Sequence, residues 1–365
     1  MLDSNVVTAF FTLLRSGLWG TPVDNLMCFP LTDTEWNLLY NIAVAQTVEG
    51  IVYDGIQNLP QDNLPSRIIL LTWVVKVNRI EITNKKMNNC IEEQVLFFNS
   101  LNVKPILLKG QGVASYYVEP KHRVCGDIDW YFDNENDSKL VEEALSNQNI
   151  LISKPTIDSS NYYWKQCEVE HHTKLFDVFN PFARYRLKNV ENDFLKNRGK
   201  VDSYYILPPN INILQVNLHI LKHLLSFGIG LRQFCDSAVL YAKLETKYDK
   251  QWLHKIYEDI GIIKWIHVLH HLLVNYLGLP EKSLPFAIKP YTTSKWMAEE
   301  ILSTGNFGFF DENFNTKNSD NLIIRKNKSK KLLYSFRTYF LLAPYEALSF
   351  PIVHFVERFK ALRIG

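Results

Sequence analysis

The sequence contains 365 residues, of which 47% are hydrophobic and 21% are charged. This length and composition predict a globular protein of two or three packed units with a sizeable core. The formal net charge of +2 and the lack of an obvious basic stripe argue against a nucleic-acid partner.

The N-terminal part of the chain is predicted to be helical. Ser4 is placed to cap an amphipathic segment, and Thr32 with Glu35 has capping-box spacing ahead of a second helix. Apolar residues recur near helical spacing over residues 66–101, which predicts a long helical stretch. Because Met87 is the only large apolar residue in the middle of this stretch, we expect that part of the helix to be exposed.

The pattern changes after residue 101. Short apolar runs and alternating bulky residues predict strands over residues 105–108, 128–132 and 162–180. Helical spacing predicts a helix that ends near Tyr117 and another over residues 137–147. The alternation indicates an α+β unit placed between helical regions.

From Pro208 onward the sequence again predicts helices. Residues 304–330 are polar and rich in Asn, Lys and Gly, which predicts a loop. Residues 331–365 return to an apolar, aromatic helical pattern. The clearest helices cover residues 211–226, 231–244, 250–259 and 262–277.

The segment Gly126-Asp127-Ile128-Asp129-Trp130 carries the candidate chemistry. Residues two apart in a strand point to the same side, so Asp127 and Asp129 project together while Ile128 and Trp130 face the core. Two ionised carboxylates roughly 6 Å apart repel by about 3 kcal/mol at an effective dielectric constant of about 20. A divalent cation removes that repulsion, and oxygen ligands favour Mg²⁺ or Mn²⁺. The alternative is a solvated strand end at which both charges relax into water.

Groups suited to phosphate lie nearby in the sequence. Lys109-Gly110 ends an apolar run and begins a helix, whose amides and positive dipole end favour an anion. The positively charged side chains of Lys109 and Arg123 are suited to contact phosphate. The alternative for both is surface solvation or pairing with Glu119.

These motifs resemble a known family. The resemblance is to the DNA polymerase β-type nucleotidyltransferase superfamily, and most of all to a bacterial branch with an LLKG…R…GDIDL core. It covers residues 105–180 and continues more loosely through the helices that follow. The residues that carry it are Leu107-Leu108-Lys109-Gly110, Arg123, Gly126-Asp127-Ile128-Asp129, His219-x-x-x-His223 and Gly230-Leu231-Arg232 to Asp236.

The resemblance implies a mixed sheet flanked by helices, two metal ions, and attack by an acceptor on the α-phosphate of a nucleoside triphosphate. One ion activates the attacking oxygen, and the other supports the leaving pyrophosphate. Gly110-Gln111-Gly112 stands where the superfamily has Gly-Ser or Gly-Gly, so a small hydroxyl is absent here. The triphosphate-binding residues implied are Lys109, Gly110, Gln111, Gly112, Arg123 and Gly126.

The superfamily also uses a third carboxylate on a later strand. We predict Asp177, because it lies between two apolar residues as that strand requires. Glu168 and Glu170, on the same extended stretch, are the alternatives. His171 and His172 are further candidates to face the substrate, although one of an adjacent pair usually packs without a role.

Two pairs of polar residues occur at i and i+4 in the predicted C-terminal helices. His219 and His223 share a face, and a place in an interhelical contact or cleft wall is favoured over a metal site because no third ligand accompanies them. Arg232 and Asp236 are expected to form an ion pair. If the helices close over the sheet, these four residues line the acceptor side.

The cysteines and the chain start bear on localisation. Five cysteines without a C-x-x-C pair predict neither a disulfide framework nor a zinc module. Residues 1–4 lack the basic start of a signal peptide. Charged residues and prolines interrupt the apolar stretch 336–359, so we expect a cytoplasmic protein without a membrane span.

We therefore predict an α+β fold with a small mixed-sheet nucleotidyltransferase core. The predicted function is metal-dependent transfer of a nucleoside monophosphate from a nucleoside triphosphate to a small-molecule or protein acceptor. The alternative is an inactive descendant that binds nucleotide or a partner protein. The predicted units are a helical N-terminal region (1–101), the catalytic core (102–182) and a mainly helical region that binds the acceptor (183–365).

Overall fold

The structure is a computed structural model that describes residues 2, 4–156, 158–194, 199–201, 203–290, 292–311, 313–317 and 323–353. Its fold is α+β, as predicted, with a mixed seven-stranded sheet between helices from both parts of the chain. Within these ranges, no helix is both long and apolar enough to cross a lipid bilayer.

Four helices precede the sheet. Ser4 caps the first by accepting a hydrogen bond from the amide of Val7, and Thr32 with Glu35 forms the predicted capping box of the second. Both caps satisfy backbone donors that have no partner inside the helix. The helices are α1 (Asn5–Trp19), α2 (Asp33–Ala45), α3 (Glu49–Gln57) and α4 (Arg67–Ser100).

The central sheet has the strand order β3-β4-β5-β2-β1-β7-β6. β2 runs parallel to β5 and β1 runs parallel to β7, whereas the other neighbouring strands are antiparallel. Three helices, α5 (Lys109–Ala114), α6 (Glu135–Asn147) and α7 (Pro181–Phe194), connect the strands. The strands are β1 (Ile106–Leu108), β2 (Ile128–Tyr131), β3 (Ser153–Thr156), β4 (Ser159–Trp164), β5 (Cys167–His172), β6 (Gly199–Val201) and β7 (Tyr204–Ile206).

The four helices predicted between residues 211 and 277 are present. They continue into a further helix, a two-stranded hairpin inside the predicted polar loop, and another helix. These elements are α8 (Pro209–Leu225), α9 (Leu231–Lys243), α10 (Lys250–Asp259), α11 (Ile263–Asn275), α12 (Lys295–Thr304), β8 (Asn315–Lys317), β9 (Ile323–Arg325) and α13 (Lys328–Tyr339).

One face of the sheet is buried against α4 and α6. Trp130 is fully buried there, with its ring 5.2 Å from that of Phe98, and its indole N–H donates to Gln94. Val169 and Val141 belong to the same core cluster. Because side chains alternate along a strand, the residues beside Trp130 point to the opposite face, towards α8 and α9.

Three expectations about the elements are corrected. The middle of α4 is not exposed on all sides, because Asn84 and Met87 are each only 2% accessible. The one or two strands predicted over residues 162–180 are two strands, but they end at His172, so Asp177 lies beyond them. The sheet also extends past residue 182, because β7 pairs with β1.

Candidate active site

Three adjacent strands bring the acidic residues together. Leu108 at the end of β1 is opposite Asp129 on β2, and Asp129 is opposite Glu170 on β5. Asp127 directly precedes β2, two residues before Asp129, and projects to the same side. The open face of the sheet therefore presents three carboxylates next to the end of β1.

The two aspartates differ in protonation. Repulsion from Asp129, followed by burial, raises the pKa of Asp127 to about 6. Burial alone would also raise the pKa of Asp129, but Lys109 and a hydrogen bond with His172 hold it well below its ordinary value. The site therefore contains one firmly ionised carboxylate beside one that keeps its proton up to about pH 6.

Asp129 contacts two nitrogen-bearing side chains. Its Oδ1 lies 3.2 Å from Lys109 Nζ and 2.8 Å from His172 Nε2. Ligand atoms of Asp129, Glu170 and His172 all lie within 4.8 Å of one another, a spacing that a single metal ion can bridge. Two carboxylates and an imidazole form a donor set suited to a divalent cation.

A tight turn places Lys109 beside these groups. Lys109 and Gly110 have φ of 40° and 25°, in the left-handed region that non-glycine residues rarely adopt. A Cβ on Gly110 would lie 3.4 Å from the carbonyl oxygen of Asp127, and one on Gly112 would lie 3.0 Å from that of Leu107. The glycines thus allow the turn to pack closely against β1 and the aspartate strand.

The side chain of Gln111 points away from the predicted triphosphate site. It is buried and donates to Asn84 Oδ1 at 3.0 Å. The amide of Asn84 in turn donates to the carbonyl oxygens of Lys121 at 2.7 Å and Arg123 at 2.8 Å. The polar middle of α4 therefore positions the loop before β2, a contact that the sequence pattern did not predict.

Arg123 forms a buried ion pair with Asp236 of α9. Its Nε and Nη2 donate to the two carboxylate oxygens at 2.7 and 2.6 Å, and Tyr117 donates to Oδ1 at 2.6 Å. The expected Arg232–Asp236 pair is therefore replaced by one from outside the helix. This bidentate geometry ties the loop before β2 to α9 and leaves Arg123 oriented towards Asp236 rather than towards a phosphate.

Arg232 takes the position beside the acidic residues. Its Nη1 donates to the carbonyl oxygen of Val124 at 2.7 Å. Repulsion from Asp129 and burial raise the pKa of Asp127, and the positive charges of Lys109 and then Arg232 partly offset that rise. Arg232 is therefore a cation of the helical region that faces the acidic end of the sheet.

The sheet and the helices enclose a cleft of about 260 Å³. Its walls include the acidic residues, Gly110 and Gly126 on one side and residues of α8 and α9 on the other. All four polar residues singled out in the C-terminal helices contribute to that second wall. They are His219, His223, Arg232 and Asp236.

Comparison with protein families identifies the chain. Residues 32–278, from α2 to α11, match a family described as "Uncharacterised nucleotidyltransferase". The chain belongs to this family. The match confirms the nucleotidyltransferase resemblance, whereas the bacterial branch stays a prediction. No curated protein and no solved structure matches the chain.

In this nucleotidyltransferase, Asp177 lies between the sheet and α8. Its carboxylate accepts hydrogen bonds from Lys222 Nζ at 2.7 Å and binds His219 Nδ1 at 3.0 Å. Burial would raise the pKa of Asp177, but Lys222 and His219 hold it well below the ordinary value. Glu170, by contrast, lies in register with Asp129 and lines the cleft. Its alternative Glu168 is exposed.

The adjacent histidines have different surroundings. His171 is buried, lies 2.9 Å from the hydroxyl of Tyr162, and has its pKa lowered to about 3 by burial. His172, on the opposite face of the strand, binds Asp129. Strand alternation separates the two roles, and this signal was available in the sequence once β5 was placed.

Sequence reasoning missed two kinds of cleft residue. Lys222 lies three positions after His219 on the same helix face, so its spacing was a usable signal. Phe307 also lines the cleft, but it comes from the segment predicted as a loop, where no periodic pattern marks it.

Proposed function

We propose that the protein is a metal-dependent nucleotidyltransferase that moves a nucleoside monophosphate from a nucleoside triphosphate to the hydroxyl or side chain of an acceptor. The observation that carries this proposal is the grouping of Asp127, Asp129 and Glu170 at one end of a cleft that α8 and α9 close. The oxygen of the acceptor hydroxyl attacks the α-phosphorus and loses its proton to solvent. The bond between the α-phosphorus and the oxygen that bridges to the β-phosphate breaks, and pyrophosphate leaves.

The donor set fits a divalent cation. Asp127 and Asp129 would hold Mg²⁺ or Mn²⁺ with Glu170 as the third carboxylate, and Asp177 is the alternative third ligand. The raised pKa of Asp127 supports this assignment, because it reports negative charge in excess of what the nearby cations balance. When bound, such ions activate the attacking oxygen and stabilise charge on the phosphates.

The chain itself supplies positive charge for the triphosphate. Lys109, Lys222 and Arg232 all line the cleft and approach it from different elements. Fixed cations around a phosphate position it and neutralise charge that develops as pyrophosphate leaves. We assign the phosphate contacts to these three residues in place of Arg123, which is held by Asp236.

The helical wall serves the acceptor in this proposal. His219 lies on the α8 wall of the cleft, so an acceptor bound there faces the α-phosphate. Asp236 shapes this wall through its ion pair with Arg123. Alanine at His219 should weaken use of the acceptor while leaving triphosphate binding nearly intact.

The test measures binding and turnover separately. Calorimetry with Mg²⁺ and ATP, and with the other nucleoside triphosphates, establishes donor binding; release of pyrophosphate in the presence of small-molecule and protein acceptor pools establishes transfer. Asp127→Asn and Asp129→Asn should abolish transfer and keep the fold, since they remove both the repulsion and the metal ligands. Glu168→Gln, an exposed change on the same sheet, is the matched control. Metal-dependent nucleotide binding without pyrophosphate release in any pool would favour the inactive alternative.

A further inference from the structure

Three rings form a continuous wall of the cleft that begins at His219, which lies 3.0 Å from the carboxylate of Asp177. The ring centroids of His219 and His223 lie 4.4 Å apart, and those of His223 and Phe307 lie 5.1 Å apart, both edge to face. Val216, one turn before His219 on α8, adds an apolar side chain to the same wall. The cleft therefore changes along its length from charged groups to flat rings.

The outer rings of this wall are uncharged. Burial holds the pKa of His223 well below its ordinary value, so its imidazole is neutral, and the phenyl ring of Phe307 carries no charge. This end of the cleft therefore favours a flat, uncharged group.

The turn that carries Phe307 is tied to the rest of the molecule. Gly308 has φ of 64°, and a Cβ there would lie 2.0 Å from the carbonyl oxygen of Phe227, so the backbone packs too closely for a side chain. Asp311, just after the turn, pairs with the buried Lys331 of α13 at 3.3 Å. The backbone that carries the phenyl ring is thus held in place by contacts of the residues that follow it.

We propose that Phe307 and His223 form the subsite for the base of the nucleoside triphosphate, with the base stacked on the phenyl ring. The inference rests on the proposed function and deepens it. It assigns the outer end of the helical wall to the donor and leaves His219 for the acceptor.

The charge pattern favours the donor base over an aromatic acceptor. The triphosphate must lie at the charged end, where the carboxylates and the three cations are. The base is the flat part of the same molecule, joined to the α-phosphate through the sugar, and the wall of rings begins next to that charged end with His219. Stacking on an aromatic side chain tolerates every base, because each base has a π face.

The experiment compares two ligands that share phosphates and differ in the base. A non-hydrolysable ATP analogue and inorganic tripolyphosphate are each titrated into the full-length protein by calorimetry in excess Mg²⁺. In Phe307→Ala the affinity for the ATP analogue should fall by about tenfold, as expected for a lost stacking contact, and the affinity for tripolyphosphate should not change. Phe307→Tyr should retain the affinity for the analogue, and Phe307→Leu should not.

Phe310→Ala is the matched control, since Phe310 is exposed in the same segment and does not line the cleft. It should bind both ligands as the wild type does. Equal losses for both ligands in Phe307→Ala, or no loss for either, would overturn the base subsite and leave the proposed function standing. In the second case a stacked aromatic acceptor becomes the better assignment. Failure of the wild type to bind either ligand would overturn both proposals.

Discussion

Lys109 Nζ lies 3.2 Å from Asp129 Oδ1, and this ion pair occupies the acidic end of the cleft. Burial would lower the pKa of Lys109, but nearby negative charges raise it above its ordinary value. In decreasing order of effect, these charges are Asp129, Asp177, Asp127 and Glu170. The ammonium group therefore balances the carboxylates that are proposed to bind metal. A divalent cation and Lys109 compete for the same negative charge, so metal binding should release the lysine towards the triphosphate.

Replacing Lys109 with methionine should have opposite effects on two ligands. Loss of a positive charge beside the carboxylates should raise the affinity for Mn²⁺ alone by about tenfold. The affinity for ATP in saturating Mg²⁺ should fall, because a phosphate contact is lost. Calorimetry measures both. Lys154→Met, at an exposed lysine paired with Glu142, is the control, and a parallel fall in both affinities would refute the counter-ion role.

The raised pKa of Asp127 predicts a pH dependence of metal binding. Since this carboxyl keeps its proton up to about pH 6, protons compete with the metal below that value, and Mn²⁺ affinity should fall as the pH is lowered through about 6. In the metal-free protein the same shift stabilises the fold below the unfolded pKa of about 4. That contribution is lost as the pH rises through about 6.

Mn²⁺ titrations from pH 5 to 8 check the first effect, and denaturant unfolding of the metal-free protein from about pH 4 to pH 8 checks the second. Asp127→Asn should remove the step near pH 6 from both curves. An unchanged step in this variant would assign it to another group.

The sequence predicted the parts of the fold that depend on local signals. The caps at Ser4 and Thr32 and the helices after Pro208 are set by hydrogen bonds and apolar spacing within short segments. The three-residue strands β6 and β7 offer no such pattern, because they are defined by pairing with β1 and with each other. Asn84 was missed for a related reason, since its partners lie in a distant loop.

The sequence likewise predicted only those features of the site that depend on local signals. Asp127 and Asp129 follow from strand alternation, which is local. The placement of Glu170 beside Asp129 depends on the register between two strands that are distant in sequence, and the pairing of Arg123 with Asp236 depends on how α9 packs. Such long-range relationships are fixed by tertiary packing, which one sequence does not report.

Changing the third carboxylate should separate Glu170 from its alternatives. Glu170→Gln should weaken Mn²⁺ binding by at least about tenfold. Loss of a group that only supports a metal ligand already weakens metal binding by about that factor, and loss of a ligand should have at least the same effect. Glu168→Gln, two residues earlier, should have no effect because Glu168 is exposed. Asp177→Asn should mainly lower the free energy of unfolding, since it breaks the contacts with Lys222 and His219, and it should have a smaller effect on Mn²⁺ affinity. A larger loss of Mn²⁺ affinity in Asp177→Asn than in Glu170→Gln would restore Asp177 as the third ligand.

Two arginines on the cleft should respond differently to alanine. Arg123→Ala leaves Asp236 buried without its partner, which costs about 3–5 kcal/mol when a buried ion pair is broken, so the free energy of unfolding should fall by that order. Arg232→Ala should change stability less, because Arg232 has no buried carboxylate partner of this kind and its Nη1 donates to the carbonyl oxygen of Val124. It should instead weaken ATP binding in Mg²⁺ about tenfold, as expected for a charged hydrogen bond to phosphate.

Urea unfolding and calorimetry give the two quantities for each variant, and Arg232→Lys should recover part of the binding. If Arg123→Ala stays folded and loses tripolyphosphate binding while Arg232→Ala retains it, the assignment of phosphate contact to Arg232 is wrong and the original prediction for Arg123 holds.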